Sequence, residues 1–155
     1  MLLLEFTVKE RRYALPLDSV ERTFQAVEVT PVEEEDSDLL GVVNVQGEVL
    51  PVISLRRRLG HGRDSVRLTD RLVVAMNQKH RVALLVDSVI GVVDVGEDTF
   101  VSSEDVYPGM VSVSGISKQS DGLLMVGDLD HFVRTPDIGS LVGIPKGREC
   151  ADATV

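Results

Sequence analysis

Tryptophan is absent from this chain, and phenylalanine and tyrosine together make up only 4% of it. The core must come from Val, Leu and Ile, and the branched β-carbon of the abundant Val favours sheet over helix. So few aromatics also leave little on which nucleobases could stack. The single cysteine, Cys150, excludes an intramolecular disulfide and fits a reducing compartment. No neighbouring base marks it as a nucleophile. No apolar run approaches the roughly 18 residues of a membrane-spanning helix. Met1-Leu2-Leu3-Leu4 is followed at once by Glu5, with no basic stretch ahead of it, unlike a secretory leader. The expected location is the cytoplasm.

Positive charge is also in short supply. Sixteen Lys and Arg face 25 Asp and Glu, for a formal net charge of −9. Nucleic-acid binders need clustered cations to displace counterions, and anionic membrane surfaces attract the same groups. Neither nucleic acid nor direct membrane insertion is expected. Catalytic signatures are missing too. His61, His80 and His131 have no carboxylate or Cys at metal-ligand spacing. No G-x-S-x-G, Walker or G-x-G-x-x-G pattern occurs. The expectation is a protein without catalysis, metal or cofactor.

What is present begins with a repeat. Arg12–Val20 reads RYALPLDSV and Arg81–Val89 reads RVALLVDSV. Arg12/Arg81, Ala14/Ala83, Leu15/Leu84, Asp18/Asp87, Ser19/Ser88 and Val20/Val89 are identical. The copies lie too far apart for a solenoid and suit two small like-folded subdomains. Each follows a polar turn, Lys9–Arg11 or Gln78–His80, as the return strand of a hairpin would.

Around the repeat, short strands succeed one another. Leu2–Val8 alternates with period two, and Pro16 places its strand at an edge or an end. Phe24, Ala26, Val27, Val29 and Val32 mark an extended piece broken by Pro31, before the acidic loop Glu33–Asp38. Gly41–Val45 and Glu48–Ile53 flank a Gln46-Gly47 turn, and Leu55–Gly60 predicts one helical turn with a glycine stop. The polar segment His61–Thr69 reads as a linker. Val82–Val86 is apolar at every position, so both faces of that strand must be covered, and Gly91 permits a bulge. Thr99–Val101, Val111–Ser117 and Leu123–Val126 continue the pattern, and Leu129–Val133 ends it in a short helix. Residues 136–155 carry too few apolar groups to fold alone. Short strands at this spacing describe an all-β barrel protein.

The blocks FTVKERRYALPLDSV, GVVNVQGEVLPVISLRRRLG, RVALLVDSVIGVV and DGLLMVGDLDHFV, in that order, resemble the CheW-like domain of bacterial chemotaxis from about Leu3 to Val133. The most specific part is Gly41–Gly47 followed by Leu50-Pro51-Val52-Ile53 and Leu55-Arg56. The resemblance implies an all-β fold with short helices, built as two five-stranded SH3-like β-barrel subdomains. It implies one CheW-like domain over 1–134, with subdomains at about 10–66 and 67–134 whose strands are free to exchange, and a tail at 135–155. It further implies a non-catalytic adaptor that couples chemoreceptor (methyl-accepting chemotaxis protein) cytoplasmic tips to the regulatory domain of a CheA-type histidine kinase. Self-association is left open.

Carried over position by position, the resemblance places a receptor-binding groove at Val20, Arg22, Gly41, Asn44, Gln46, Gly47, Val86, Asp87 and Val89. The family motif normally reads Asn-Leu-Arg-Gly, whereas Val45 and Gln46 stand here. Arg22 occupies a position that is often acidic, and Ser54 replaces the usual Asp before Leu-Arg. An amide cannot bind a carboxylate bidentately as a guanidinium does, so partner choice should differ. Gln46 and Arg22 favour, as an alternative, a coupling protein of another pathway such as type IV pilus motility. In a different class, the alternative is a small-barrel ligand-binding protein. On physical grounds alone, Gly41 and Gly47 read as backbone devices, Asp87 as an acceptor of backbone N–H groups, and Val20 and Val89 as core. The arginines Arg56, Arg57, Arg58, Arg63, Arg67 and Arg71 read as solvated surface charge.

Overall fold

The structure, a computed structural model, describes residues 1–25, 29–32, 38–60, 66–79, 81–110 and 113–133. Most of the acidic loop, His61, Arg63, His80, the tail and Cys150 lie outside the described residues.

The first half of the chain opens with an antiparallel hairpin, β1 (Leu2–Val8) and β2 (Arg11–Pro16). Its turn residues Lys9 and Glu10 have φ of 52° and 67°, the left-handed pair that matches a two-residue turn to strand twist. β2 ends at Pro16, which has no N–H to extend the ladder. A single 3-10 turn, Leu17–Ser19, leads into β3 (Val20–Gln25). Then come β4 (Thr30–Pro31), β5 (Leu39–Val45), β6 (Glu48–Ser54) and α1 (Leu55–Arg58). The second half repeats the series with β7 (Arg71–Met76), β8 (Arg81–Val86), β9 (Ser88–Asp94) and β10 (Phe100–Ser102). It continues with α2 (Ser103–Val106), β11 (Gly115–Gln119), β12 (Gly122–Val126) and α3 (Leu129–Phe132). The α2 turn follows β10 directly, in a stretch with no helical signal of its own.

Two six-stranded sheets result, ordered β10-β11-β12-β2-β1-β9 and β3-β7-β8-β6-β5-β4. The all-β architecture of two like subdomains stands, with the short strands β4 and β10 bringing each sheet to six. Strands are exchanged across the sequence division near 66–67. The hairpin β1–β2 lies in the sheet completed by the second half, and β7–β8 lies in the sheet completed by the first. The chain changes sheets just before β3 and just before β9. A bulge does occur beside Gly91, which pairs with Glu5 while Ile90 is the extra residue, but the second crossing comes earlier, at Asp87.

Register shows that the duplication extends well beyond the nine-residue repeat. Ala14 pairs in parallel with Val126, and Ala83 with Val52. Val126 in turn faces Gly115, and Val52 faces Gly41. The two glycines are therefore equivalent, and both are forced. A β-carbon at Gly41 would sit 2.2 Å from the Thr30 carbonyl oxygen, and one at Gly115 2.7 Å from that of Val101. The same correspondence matches α1 with α3 and their N-caps Ser54 and Asp128, each accepting a backbone N–H. It also sets Asp130 where Arg56 stands.

Three apolar clusters hold the sheets. Each sheet curls around a cluster of its own, with Leu72, Val74 and Leu85 in one case and Leu3, Val95 and Leu124 in the other. The largest lies between the sheets and takes residues from both, including Leu4, Leu15, Leu55, Val73 and Leu84. Phe6, Tyr13 and Phe132, half of the chain's six aromatic residues, meet there with ring centroids 5.9 to 6.4 Å apart. The unbroken apolar run of β8 follows from its position. Val82, Leu84 and Val86 face the shared core while Ala83 and Leu85 face the cluster enclosed by their own sheet. Because each half supplies the other's hairpin, neither should fold by itself. Fragments 1–65 and 66–155 should each lack a cooperative thermal transition, and an equimolar mixture should regain the transition and the β-sheet circular dichroism. Cooperative unfolding of either fragment alone would contradict the exchange.

Candidate functional site

The nine candidate residues fall into four structural settings. Val20 and Val89 are half-buried and pack against the shared core, where Val86 is itself fully enclosed at 0% exposure. The Val86 side chain thus offers no surface to a partner, because β8 is covered on both faces. Gly41 is likewise interior, held by its close approach to Thr30. Arg22, by contrast, is exposed on the edge strand β3.

Asn44, Gln46 and Gly47 form the tip of the β5–β6 hairpin. Gln46 and Gly47 have φ of 52° and 87°, again a left-handed pair. Glycine meets that demand freely, whereas Gln46 adopts a conformation that side chains disfavour. The Asn44 side chain steadies the turn, its Oδ1 accepting the Gly47 N–H at 2.8 Å. Gln46 is exposed at the tip.

Asp87 sits where the chain passes from one sheet to the other, and it is the hub of a polar network. Its Oδ2 accepts the Lys9 backbone N–H at 2.8 Å, and its own N–H donates to the Thr7 carbonyl at 2.9 Å. The expected backbone-acceptor role is met at the β1–β2 turn. Its Oδ1 accepts Arg56 Nε–H at 2.8 Å. The Arg56 Nη2–H donates to Asp70 Oδ1 at 2.7 Å, and Asp70 Oδ2 accepts the Arg67 backbone N–H at 2.8 Å. Arg56 and Asp70 are 1% and 0% exposed. Arg56 is therefore not a solvated surface charge, and α1 turns it inward because its two carboxylates wait there. Desolvation by burial lowers its pKa, and the hydrogen bonds and charges of Asp70 and Asp87 more than offset this, so the net shift is upward. The guanidinium is therefore buried in its charged form.

A second charged group links three strands of the β3-containing sheet. Arg81, at the start of β8, donates through Nη2 to Glu21 Oε1 at 2.5 Å and through Nη1 to Glu48. Glu21 is the extra residue in the β3 bulge and Glu48 opens β6. Sequence reasoning passed over Arg81 as a site residue, although its place in the repeat was the available signal. Hydrogen bonds from Arg81, followed by its charge and that of Arg22, hold the Glu21 carboxyl below its ordinary 4.5.

Elsewhere, an open cavity of about 420 Å³ is lined by Ser103, Glu104, Met110, Ser114, Asp130 and His131 and touches none of the candidate residues. Among the described residues, no group of three or more His, Cys, Asp or Glu is placed to hold a metal ion. No helix there is long and apolar enough to cross a membrane.

The comparisons with known proteins give this duplicated double sheet a family. A model of the CheW-like domain matches residues 2–137. The chain is 26% identical over 130 residues to the chemotaxis protein CheW of Thermotoga maritima, covering 84% of this chain and 85% of that one. It is 30% identical over 125 residues to CheW of Bacillus subtilis, at 79% and 80% coverage. Protein FrzA of Myxococcus xanthus is 31% identical over 86 residues, 56% of this chain and 54% of its own. The solved scaffolding protein TtCheW from Thermoanaerobacter tengcongensis superposes with a TM-score of 0.71 at 25% identity, covering 81% of this chain and 86% of that one. The protein belongs to the CheW-like domain family. Members are non-catalytic scaffold and coupling proteins of chemotaxis complexes, so this protein is not an enzyme.

Two measurements test the networks. Removing one partner of a buried ion pair strands the other, at a cost of about 3–5 kcal/mol. Urea unfolding of Arg56→Met should show a loss of that size, and Arg56→Met combined with Asp70→Leu a clearly smaller one. A depressed carboxyl pKa stabilises the fold above its unfolded value and loses that contribution as pH falls through the folded one. The Glu21 carboxyl should therefore titrate below 4.5 by NMR, and return toward that value in Arg81→Ala.

Proposed function

We propose that the protein is a cytoplasmic, non-catalytic adaptor that couples the cytoplasmic tips of chemoreceptors to the regulatory domain of a CheA-type histidine kinase. The observation that carries this reading is the family match across residues 2–137, which takes in both sheets. The architecture supports it physically. Exposed apolar residues line the outer edge of one sheet, with Ile90 and Val92 on β9 and Leu2 beside them on β1. Such edges suit docking against another β-rich domain. The polar positions Arg22 and Gln46 lie on the other sheet, exposed and available to set specificity. Two modest interfaces on one small protein gain strength from multivalent assembly.

A second reading keeps the adaptor role and changes the pathway. The hairpin tip carries Gln46 in place of the family's usual Arg, and Arg22 stands where an acidic residue is common. Both observations favour a coupling protein of a system other than chemotaxis, such as pilus-based motility.

Calorimetric titration with the regulatory domain of each CheA-type kinase in the same genome tests the proposal and selects the pathway. Binding to one of them near 1 μM, about −8 kcal/mol, is expected. Absence of binding to all of them by folded protein would overturn the adaptor reading. Gln46→Arg should change affinity for the receptor tip by about tenfold while leaving kinase affinity unaltered, since the substitution adds a charge only at the hairpin tip.

A further inference from the structure

Arg12 and Arg81 are duplicated residues that do related work. Arg12 Nη1–H donates to Asp121 Oδ1 at 2.8 Å, at the turn of the β11–β12 hairpin, whose strand β12 runs parallel to β2. Arg81 meets Glu48 at the start of β6, which runs parallel to β8. Each repeat arginine thus ties its strand to the near end of the neighbouring hairpin.

Their remaining partners differ. Arg12 Nε–H donates at 2.6 Å to Glu5, a buried residue of the same β1–β2 hairpin. Arg81 turns instead to Glu21 on the edge strand β3, with Nε–H donating to Oε2 at 3.2 Å and Nη2–H to Oε1 at 2.5 Å. In the sheet order β3-β7-β8-β6, strands β3 and β6 are not neighbours, so no backbone ladder joins them. The guanidinium of Arg81 spans that gap. Its two carboxylate partners stand directly beside Arg22 on β3 and one residue beyond the Gln46-Gly47 turn.

We propose that Arg81 is a positioning residue for partner recognition, holding the Gln46 hairpin tip and the Arg22-bearing edge strand in one fixed relation. This rests on the adaptor reading and names a determinant of its receptor-facing surface. The fork of a guanidinium serves two carboxylates at once with directed N–H bonds, which a lysine ammonium does not reproduce. Glu48 is exposed and Arg81 itself is partly so, so the network adds little to global stability. Its effect falls on where the charges of Arg22 and the amide of Gln46 are held, and specificity depends on such placement.

The test compares wild type, Arg81→Ala, Arg81→Lys and Arg12→Ala. Each is titrated calorimetrically with a soluble helical-hairpin fragment of a chemoreceptor tip from the same genome and with the kinase regulatory domain. Arg81→Ala should weaken the receptor fragment about tenfold, keep its kinase affinity, and melt within a few degrees of wild type. Arg81→Lys should recover only part of the loss. Arg12→Ala should melt lower and bind both partners normally. Receptor affinity unchanged in Arg81→Ala, or lost in parallel with kinase affinity, overturns the proposal. If wild type binds no receptor fragment, the adaptor reading fails by itself, and amide exchange decides the role of Arg81. Faster exchange in Arg81→Ala at Gly47, Val49 and the β3 amides, with the remaining amides unchanged, upholds the positioning role, and unchanged exchange at those amides ends it.

Discussion

Exchange of hairpins between the two halves makes the core between the sheets the constraint on which the rest of the structure depends. Leu4, Phe6 and Leu15 reach it from β1 and β2, and Val73 and Leu84 from β7 and β8. Each hairpin therefore does double duty, completing the other half's sheet on one side and filling the common core on the other. The short helices close the same region, α1 with Leu55 and α3 with Leu129 and Phe132. In a chain with so few aromatic side chains, three rings placed at this junction concentrate much of the available apolar area where the halves meet.

The polar counterpart of that junction is asymmetric. At one sheet crossing Asp87 gathers the β1–β2 turn, α1 and the segment leading into β7 through Lys9, Arg56 and Asp70. At the equivalent crossing the repeat supplies Asp18, which is exposed, and the position matching Arg56 holds Asp130. Burying Arg56 and Asp70 together is tolerable only because each is hydrogen-bonded, since an isolated buried charge would be costly. Duplication thus preserved the backbone plan, down to Gly41 and Gly115, while the side chains at one junction specialised.

Local features of this fold were plain in the sequence, and non-local ones were not. Alternation marked β1 as a strand, although its second face, with Leu3 and Glu5, is buried as well. The Gln46-Gly47 pair marked its hairpin, and the apolar run of β8 announced a strand covered on both faces. Turn chemistry and period are properties of adjacent residues. Sheet membership is not. Nothing within β1–β2 says that its parallel neighbour is β12, because that choice is made by packing across the chain. Arg56 misled for the same reason. Within Leu-Arg-Arg-Arg-Leu it reads as solvent-facing, and its partners lie 14 and 31 residues away. The candidate list carried over from the family also mixed kinds of residue that only coordinates separate. Val86 and Gly41 are interior, Asn44 and Asp87 hold backbone in place, and Arg22 and Gln46 face solvent.

The order in which strands are needed has a consequence during synthesis. When the ribosome has released everything through α1, the hairpin β1–β2 has been made but its sheet partners β9 and β12 have not. The edge strand β3 still waits for β7. The nascent chain must carry two unfinished sheets, with their apolar faces and open ladders, until nearly all of the second half has emerged. Non-local pairing of this kind slows folding and leaves strand edges open to other chains in the interval. This topology makes the interval between the two halves the period of greatest exposure to aggregation.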